Sequence, residues 1–389
     1  MNTFIIIVLD GVGIGELPDA DQYSDQGSNT LLNISKQLNG ITLPNLQKFG
    51  LGNISGDIVG LPPATNPLAS YGKMAEASFG KDSISGHWEI GGLKVEIDFP
   101  YYPEGFPESI VSKFLSLTCL KGVLGNKAAS GTEIIKELGD EHIRTGFPII
   151  YTSADSVFQI AAHEKYFGLQ KLYDICETAR FEIFNGSDSI GRIIARPFTG
   201  ESGNYERTTN RKDYAIDPPE DTILDYAQKN GIETVAIGKI NDLFNHRGIN
   251  KKIKTKSNLE GIEEILKAEK EYQNSLIFVN LVDFDVYYGH RNDPEGFHKA
   301  LQEFDSNLPK IIDRMDDSDH LILTADHGND PTSVSTDHCR EYVPLIYFNK
   351  RRNGINLGIR ETFADVAQTA AHFFKINNSL RGKSFLNEK

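Results

Sequence analysis

Three aspartates and three histidines stand where this chain could hold metal ions. Asp10 ends the apolar run Phe4 to Leu9. Asp285 and His290 follow the run Leu276 to Val282, and Asp326 and His327 follow Leu321 to Thr324, with His338 a short loop further on. Mixed carboxylate and imidazole ligands suit manganese, zinc or iron better than calcium or magnesium, which favour all-oxygen shells. Two such ions side by side can clamp the attacking and leaving oxygens of an in-line phosphoryl displacement. Each residue alone has a plainer reading. An aspartate at a strand end is commonly a turn residue or helix cap, and His372, on an apolar helix face, reads as packed. Asp326-His327-Gly-Asn-Asp330 is harder to read that way, because it places two potential ligands in one sharp turn directly after a strand.

A nucleophile for such a centre lies in Gly80-Lys-Asp-Ser83-Ile-Ser85-Gly-His87-Trp-Glu89. A serine hydroxyl needs a neighbouring base or metal to react at neutral pH. The plainer role is a helix N-cap, and the two roles are compatible, since a helix N-terminus also favours phosphate. Spacing does not separate Ser83 from Ser85. The net charge of −14 argues against a nucleic-acid footprint, so an anionic substrate has to be neutralised locally. Arg192, Arg196, Arg207, Arg211 and Lys239 supply such a confined basic set, and guanidinium forks grip phosphate bidentately.

The elements that must position these groups read as strands alternating with helices. Phe4 to Leu9 is a buried strand, and Thr234 to Ile237 is another that runs into Gly238-Lys239. Phe297, Leu301, Phe304, Leu308, Ile311 and Met315 mark an amphipathic helix between the Leu276 and Leu321 strands. A last helix is expected near Thr362, with Asp365 three positions on supporting a cap. Gly11-Val-Gly13-Ile-Gly15-Glu16 lacks the third glycine of a dinucleotide loop where Glu16 stands, and its strand ends in a carboxylate. The pattern predicts an α/β core with a mostly parallel sheet flanked by helices, its ligands gathered beyond the strands' carboxyl ends. From Phe99 to Pro218 the chain changes to proline, glycine and aromatic punctuation, which reads as a smaller α+β insert. The expected organisation is a core of 1–98 and 219–389 interrupted by a cap at 99–218, with Asp217-Pro-Pro-Glu220 as return linker. A length of 389 residues suits two domains. Three scattered cysteines argue against a disulfide framework, and the first apolar run is too short for a signal or membrane span. A cytoplasmic monomer, with no nucleic-acid or membrane partner, is the expectation.

These motifs resemble those of bacterial phosphopentomutases, within the alkaline-phosphatase superfamily of dimetal enzymes. The resemblance rests on Asp-Gly-Val-Gly-Ile-Gly-Glu at 10–16, Gly-Lys-Asp-Ser with Gly-His-Trp-Glu at 80–89, and Tyr-Thr-Ser-Ala-Asp-Ser-Val at 151–157. It continues in Asn-Leu-Val-Asp-Phe-Asp at 280–285, Thr-Ala-Asp-His-Gly-Asn-Asp-Pro at 324–331 and Thr-Asp-His-Cys-Arg-Glu-Tyr-Val-Pro at 336–344, and spans essentially the whole chain. It implies an alkaline-phosphatase-like core and two divalent ions, usually Mn(II). Asp10, Asp326 and His327 would hold one ion, and Asp285, His290 and His338 the other. It implies Ser83 as the phosphorylated nucleophile, where the family commonly has threonine. It implies Ser153, Asp155, Arg192, Arg207 and Lys239 as sugar-phosphate contacts. The implied isomerase interconverts α-D-ribose 1-phosphate and D-ribose 5-phosphate, or the 2-deoxyribose equivalents, in nucleoside catabolism. It works through a bisphosphate intermediate, primed by glucose 1,6-bisphosphate or ribose 1,5-bisphosphate. Because exposed phosphoserine would hydrolyse, the cap is expected to close over it.

A phosphatase or phosphodiesterase on the same core would share every ligand and use water as acceptor. The absence of Cys-x-Pro-x-Arg disfavours a sulfatase, and Gly-His-Trp-Glu with Tyr-Thr-Ser-Ala-Asp fits the pentose enzyme better than a phosphoglycerate mutase. A non-catalytic sugar-phosphate-binding protein is the alternative of another class, and the complete ligand set with a nucleophile argues against it.

Overall fold

The computed structural model describes residues 2–96, 100, 102–153, 156–184, 189–352 and 354–388. The chain divides into two compact units, Met1–Glu96 with Pro218–Lys389, and Ile97–Asp217. In chain order the strands begin with β1 (Phe4–Leu9) and β2 (Ser70–Met74). The smaller unit contributes β3 (Leu124–Ala128), β4 (Ile149–Thr152), β5 (Val157–His163), β6 (Arg192–Glu201), β7 (Asn204–Arg207) and β8 (Lys212–Ala215). The larger unit resumes with β9 (Glu233–Ile237), β10 (Lys251–Ile253), β11 (Ser275–Leu281), β12 (His320–Thr324), β13 (Val343–Phe348) and β14 (Asn356–Arg360).

Among the described residues, the sheet of the larger unit runs β10-β9-β11-β1-β12-β13-β2-β14. Every neighbouring pair is parallel except the two made by β13. All six residues of β1 and all seven of β11 are buried, as strands covered on both faces require. The Asn258–Glu271 helix packs on β9 and β11, and the Pro294–Arg314 helix packs on it in turn. Phe297, Leu301, Phe304, Leu308 and Ile311 form the buried stripe of that second helix, as their spacing predicts.

Two local expectations are corrected. The last helix begins at Asp365, not Thr362, and its N-cap position, Ala364, makes no side-chain bond. Asp365 is drawn instead to the Arg360 guanidinium, at 2.6 Å, and to the Lys383 amide. His372 on that helix is exposed and hydrogen-bonded to Ser384 rather than packed.

In the smaller unit the sheet order is β3-β4-β5-β6-β7, with β8 paired to β6. Alternation sorts its side chains onto two faces. Ile150, Phe158, Ile160 and Ile193 pack with the Glu108–Thr118 and Leu169–Thr178 helices. Ile149, Tyr151, Ala161 and Phe198 pack with Ile134 and Ile135 of the Gly131–Thr145 helix.

Candidate active site

Three adjacent strands of the larger unit end together. In the register of the sheet, Leu9 lies beside Leu281 and Val8 beside Thr324, so the residues that follow β11, β1 and β12 emerge at one edge. Asp10 follows β1, Asp326 and His327 follow β12, and Asp285 sits one turn beyond β11; all four are buried. Two groups of potential ligands result, each with its donor atoms within 4.8 Å of one another: Asp10, Asp326 and His327, and Asp285, His327 and His338. His327 belongs to both. His290 joins the second group, its Nε2 3.2 Å from Asp285 Oδ2 and 3.2 Å from His338 Nε2.

The donor chemistry fits cations. His327 Nε2 lies 3.5 Å from Asp10 Oδ1 and 3.2 Å from Asp326 Oδ2, yet among the described residues neither oxygen accepts a hydrogen bond. One oxygen of each carboxylate is thus left without a donor, and a buried carboxylate oxygen in that state is costly unless a cation meets it. Burial and neighbouring Asp326 raise the Asp10 carboxyl above its ordinary range, against the opposing pull of Lys239. Burial would raise Asp285 too, but His338, His290 and His327 outweigh it and hold that carboxyl well below the usual value. For His290, burial is outweighed by Asp285, and the imidazole is pushed up to about 9.

A ring of polar groups orients these side chains. Gly11 N–H donates to Asp326 Oδ1 at 3.2 Å, and Asn280 Nδ2 donates to Asp10 Oδ2 at 3.0 Å. Asn329 Nδ2 donates to Asp285 Oδ1 at 2.6 Å. The fully buried His87 places Nδ1 2.8 Å from the Ser83 carbonyl and 3.1 Å from Asp326 Oδ2, while its Nε2 faces Asn280 Nδ2 at 3.2 Å. That pairing makes Nδ1–H the donor. Sequence reasoning did not assign roles to His87, Asn280 and Asn329. The available signal was a polar side chain inside a run that must be buried, most plainly Asn280 within Ser-Leu-Ile-Phe-Val-Asn-Leu. The glycine loop also acquires a reason: a Cβ on Gly13 would lie 2.2 Å from Glu341 Oε2, so glycine there admits a buried carboxylate, not a nucleotide.

The two serines are separated by geometry. Neither caps the Ser83–Ile90 helix; Asp82 does, its Oδ1 accepting from the Ile84 and Ser85 amides. Ser85 is fully buried, its Oγ 2.9 Å from the Asp82 carbonyl and 3.1 Å from Glu76 Oε1. Ser83 Oγ, at the helix N-terminus, stands 3.1 Å from His327 Nε2. Lys239 Nζ lies 3.3 Å from Asp10 Oδ2, so it is brought to the same centre. Ser153, Arg192 and Arg207 lie in the smaller unit, where Ser153 is half-buried, Arg207 exposed, and Arg192 Nη1 4.0 Å from Asp213. Asp155 lies outside the described residues.

The metalloenzyme superfamily profile matches residues 2–378 of the chain. A phosphopentomutase from Acetivibrio thermocellus is 54% identical over 387 residues, covering 99% of both chains. One from Dictyoglomus thermophilum is 55% identical over 387 residues, covering 99% of this chain and 98% of its own. The chain belongs to the phosphopentomutase family. Among solved structures, a Leishmania mexicana phosphoglycerate mutase shares the fold at 11% identity, with a TM-score of 0.52 over 98% of this chain and 97% of its own. Membership in the phosphopentomutase family agrees with the residues that converge at the three strand ends. Among the described residues, no helix is long and apolar enough to cross a membrane.

Proposed function

We propose that the chain interconverts α-D-ribose 1-phosphate and D-ribose 5-phosphate, and the 2-deoxyribose equivalents, with Ser83 as the group that carries the phosphoryl in transit. The observation that carries this reading is Ser83 Oγ, 3.1 Å from His327 Nε2 at the first residue of a helix capped by Asp82. Full-length identity to phosphopentomutases supports it.

Asp10, Asp326 and His327 would hold one divalent ion and Asp285, His290 and His338 the other; the mixed oxygen and nitrogen donors suit manganese, zinc or iron, and the family resemblance favours Mn(II) among them. Such ions, when bound, neutralise charge on the transferring phosphoryl group and lower the pKa of a bound hydroxyl. The chain's own residues do the rest. The first-turn amides of the Ser83 helix favour a phosphate at that terminus. Phosphoserine 83 gives its phosphoryl to the free hydroxyl of a pentose monophosphate: the P–Oγ bond breaks, a P–O bond to the sugar forms, and the proton lost by the sugar hydroxyl is balanced by the one gained at Ser83 Oγ. The resulting pentose 1,5-bisphosphate returns its other phosphoryl to Ser83 Oγ, and the isomeric monophosphate departs. Asn280, Asn329 and the Gly11 amide hold the carboxylates in place throughout. Ser153, Asp155, Arg192, Arg207 and Lys239 are the proposed sugar-phosphate contacts. A sugar bisphosphate such as glucose 1,6-bisphosphate would prime Ser83, and a cytoplasmic monomer completes the reading.

The test is turnover. Protein with Mn(II), α-ribose 1-phosphate and a trace of glucose 1,6-bisphosphate should build up ribose 5-phosphate by phosphorus NMR, without inorganic phosphate. Ser83→Ala should abolish it. Release of inorganic phosphate instead would replace the mutase by a phosphatase.

A further inference from the structure

Within the smaller unit, a cavity of about 430 Å³ is lined by Arg196, Pro197, Arg207, Thr208 and Arg211. Three guanidinium groups facing one space repel each other, and burial with the neighbouring Arg211 and Arg207 lowers the Arg196 pKa against the pull of Tyr151. Few anions offset them. Arg211 is forked onto Asp213, at 2.6 and 2.5 Å. Arg196 Nε donates to the neutral Gln159 Oε1 at 3.1 Å. No ion pair is formed by Arg196 or Arg207 among the described residues.

A second, independent feature lies beside Arg207. Tyr151 is fully buried, yet its hydroxyl has no hydrogen-bond partner among the described residues. A buried hydroxyl without a partner costs on the order of 1–3 kcal/mol, so its persistence calls for an explanation. It abuts Gly131, the first residue of the Gly131–Thr145 helix: a Cβ built there would lie 2.6 Å from Tyr151 Oη and 3.6 Å from Arg207 Nη1. Glycine thus lets the tyrosine hydroxyl and the Arg207 guanidinium meet the start of this helix. The N-cap residue, Ser130, makes no side-chain bond to the first-turn amides, and Glu133 of that turn is engaged by Lys136 at 3.3 Å. The helix terminus therefore offers its positive end and free N–H donors.

We propose that Tyr151, Arg196, Arg207, Arg211 and the N-terminus of the Gly131–Thr145 helix form a binding site for a phosphate monoester dianion. It rests on the pentose-phosphate reading and deepens it by adding Tyr151, Arg196 and Arg211 to Arg207, one of the two arginines among the proposed sugar-phosphate contacts. Guanidinium forks and helix amides are donors and the tyrosine O–H can donate with them, so the site favours an oxyanion over a cation, and its positive charge favours the dianion over a neutral ligand.

The probe is sulfate, a non-reacting mimic of the dianion, titrated calorimetrically into the full-length, Mn(II)-loaded protein. Tyr151→Phe keeps the ring and its packing and removes only the hydroxyl. It should weaken the sulfate site roughly tenfold or more and raise KM for ribose 5-phosphate in the same sense. Arg207→Gln, at an exposed position, should do likewise and stands in if the tyrosine variant melts early. Arg144→Gln removes a charge at the far end of the same helix and should titrate as the parent does. No sulfate site in the parent, parental binding in both Tyr151→Phe and Arg207→Gln, or equal weakening in Arg144→Gln overturns the proposal. Weakened sulfate binding in protein that turns over no pentose phosphate would keep the anion site and reject the mutase reading, so the two fail separately.

Discussion

Gly86→Ala should disable catalysis while leaving a folded protein. Gly86 lies inside the Ser83–Ile90 helix, where alanine ordinarily stabilises by about 0.5–1 kcal/mol over glycine. Here a Cβ would lie 2.1 Å from the Asp326 carbonyl oxygen, 2.8 Å from its carbonyl carbon and 3.0 Å from its Cβ. The two closest atoms are backbone at the end of β12, so no side-chain rotation relieves them. Restoring an ordinary carbon–oxygen separation of roughly 3.3 Å moves the helix or the strand end by about 1 Å. The strain is of the overpacking kind, costing about 1–3 kcal/mol, which outweighs the gain in helix propensity. Ser83 begins this helix, and Asp326 and His327 leave that strand end, so the 3.1 Å approach of Ser83 Oγ to His327 Nε2 is displaced by the same amount. A 1 Å misplacement of reacting groups lowers rate on the order of 100-fold. The expected result is a fall in kcat of about that size, read by phosphorus NMR with ribose 1-phosphate, alongside a single cooperative unfolding transition. Parental turnover with a parental melting temperature would refute the claim that this close approach sets the position of Ser83.

Two further outcomes follow from the buried charges. Chelation would remove the cations proposed to offset Asp10, Asp285 and Asp326; at metal concentrations about 100-fold above Kd each site would contribute about 2.7 kcal/mol, so EDTA should lower the melting temperature by roughly 10 °C, and a calorimetric trace indifferent to Mn(II) would count against the centre. His320, packed on Phe4 and Phe373, is held neutral by burial and by Arg352, which depress its pKa to about 4. A depressed folded pKa means the stability is present above the unfolded value near 6.5 and is lost as pH falls toward 4. At about 1.4 kcal/mol per pH unit the loss is roughly 3 kcal/mol, and urea unfolding of His320→Asn should show a shallower slope across that window; identical slopes would reject it.

The sequence made the core strands legible because burial on both faces leaves no ambiguity. Phe4–Leu9 is read at both ends, and Thr234, Leu276 and Leu321 each fall one residue inside their strands. The residues that converge on the centre were legible for a related reason: an aspartate or histidine directly after such a strand is forced to the same edge of the sheet. What pattern could not supply was the third dimension. Whether Thr362 or a later residue begins the last helix depends on Arg360 and Lys383 competing for Asp365. Whether Ser83 or Ser85 faces the centre depends on Asp82 taking the cap and so fixing the helix phase. His87 and Tyr151 were hidden because aromatic and imidazole side chains in buried segments read as packing, and only their unspent or converging polar atoms distinguish them.

The discontinuity of the larger unit has a consequence for its synthesis. β1, wholly apolar and destined for the middle of a sheet, leaves the ribosome first, but its two neighbours begin at Ser275 and His320. At translation rates of roughly 5–20 residues per second, tens of seconds separate the strand from the partners that cover it. The Ile97–Asp217 unit emerges in that interval with its own core complete. The nascent chain therefore carries an unpaired hydrophobic strand beside an already folded neighbour. That is the kind of intermediate that recruits a holding chaperone, and a charge placed in Phe4–Leu9 would remove the hazard only by removing the centre of the sheet.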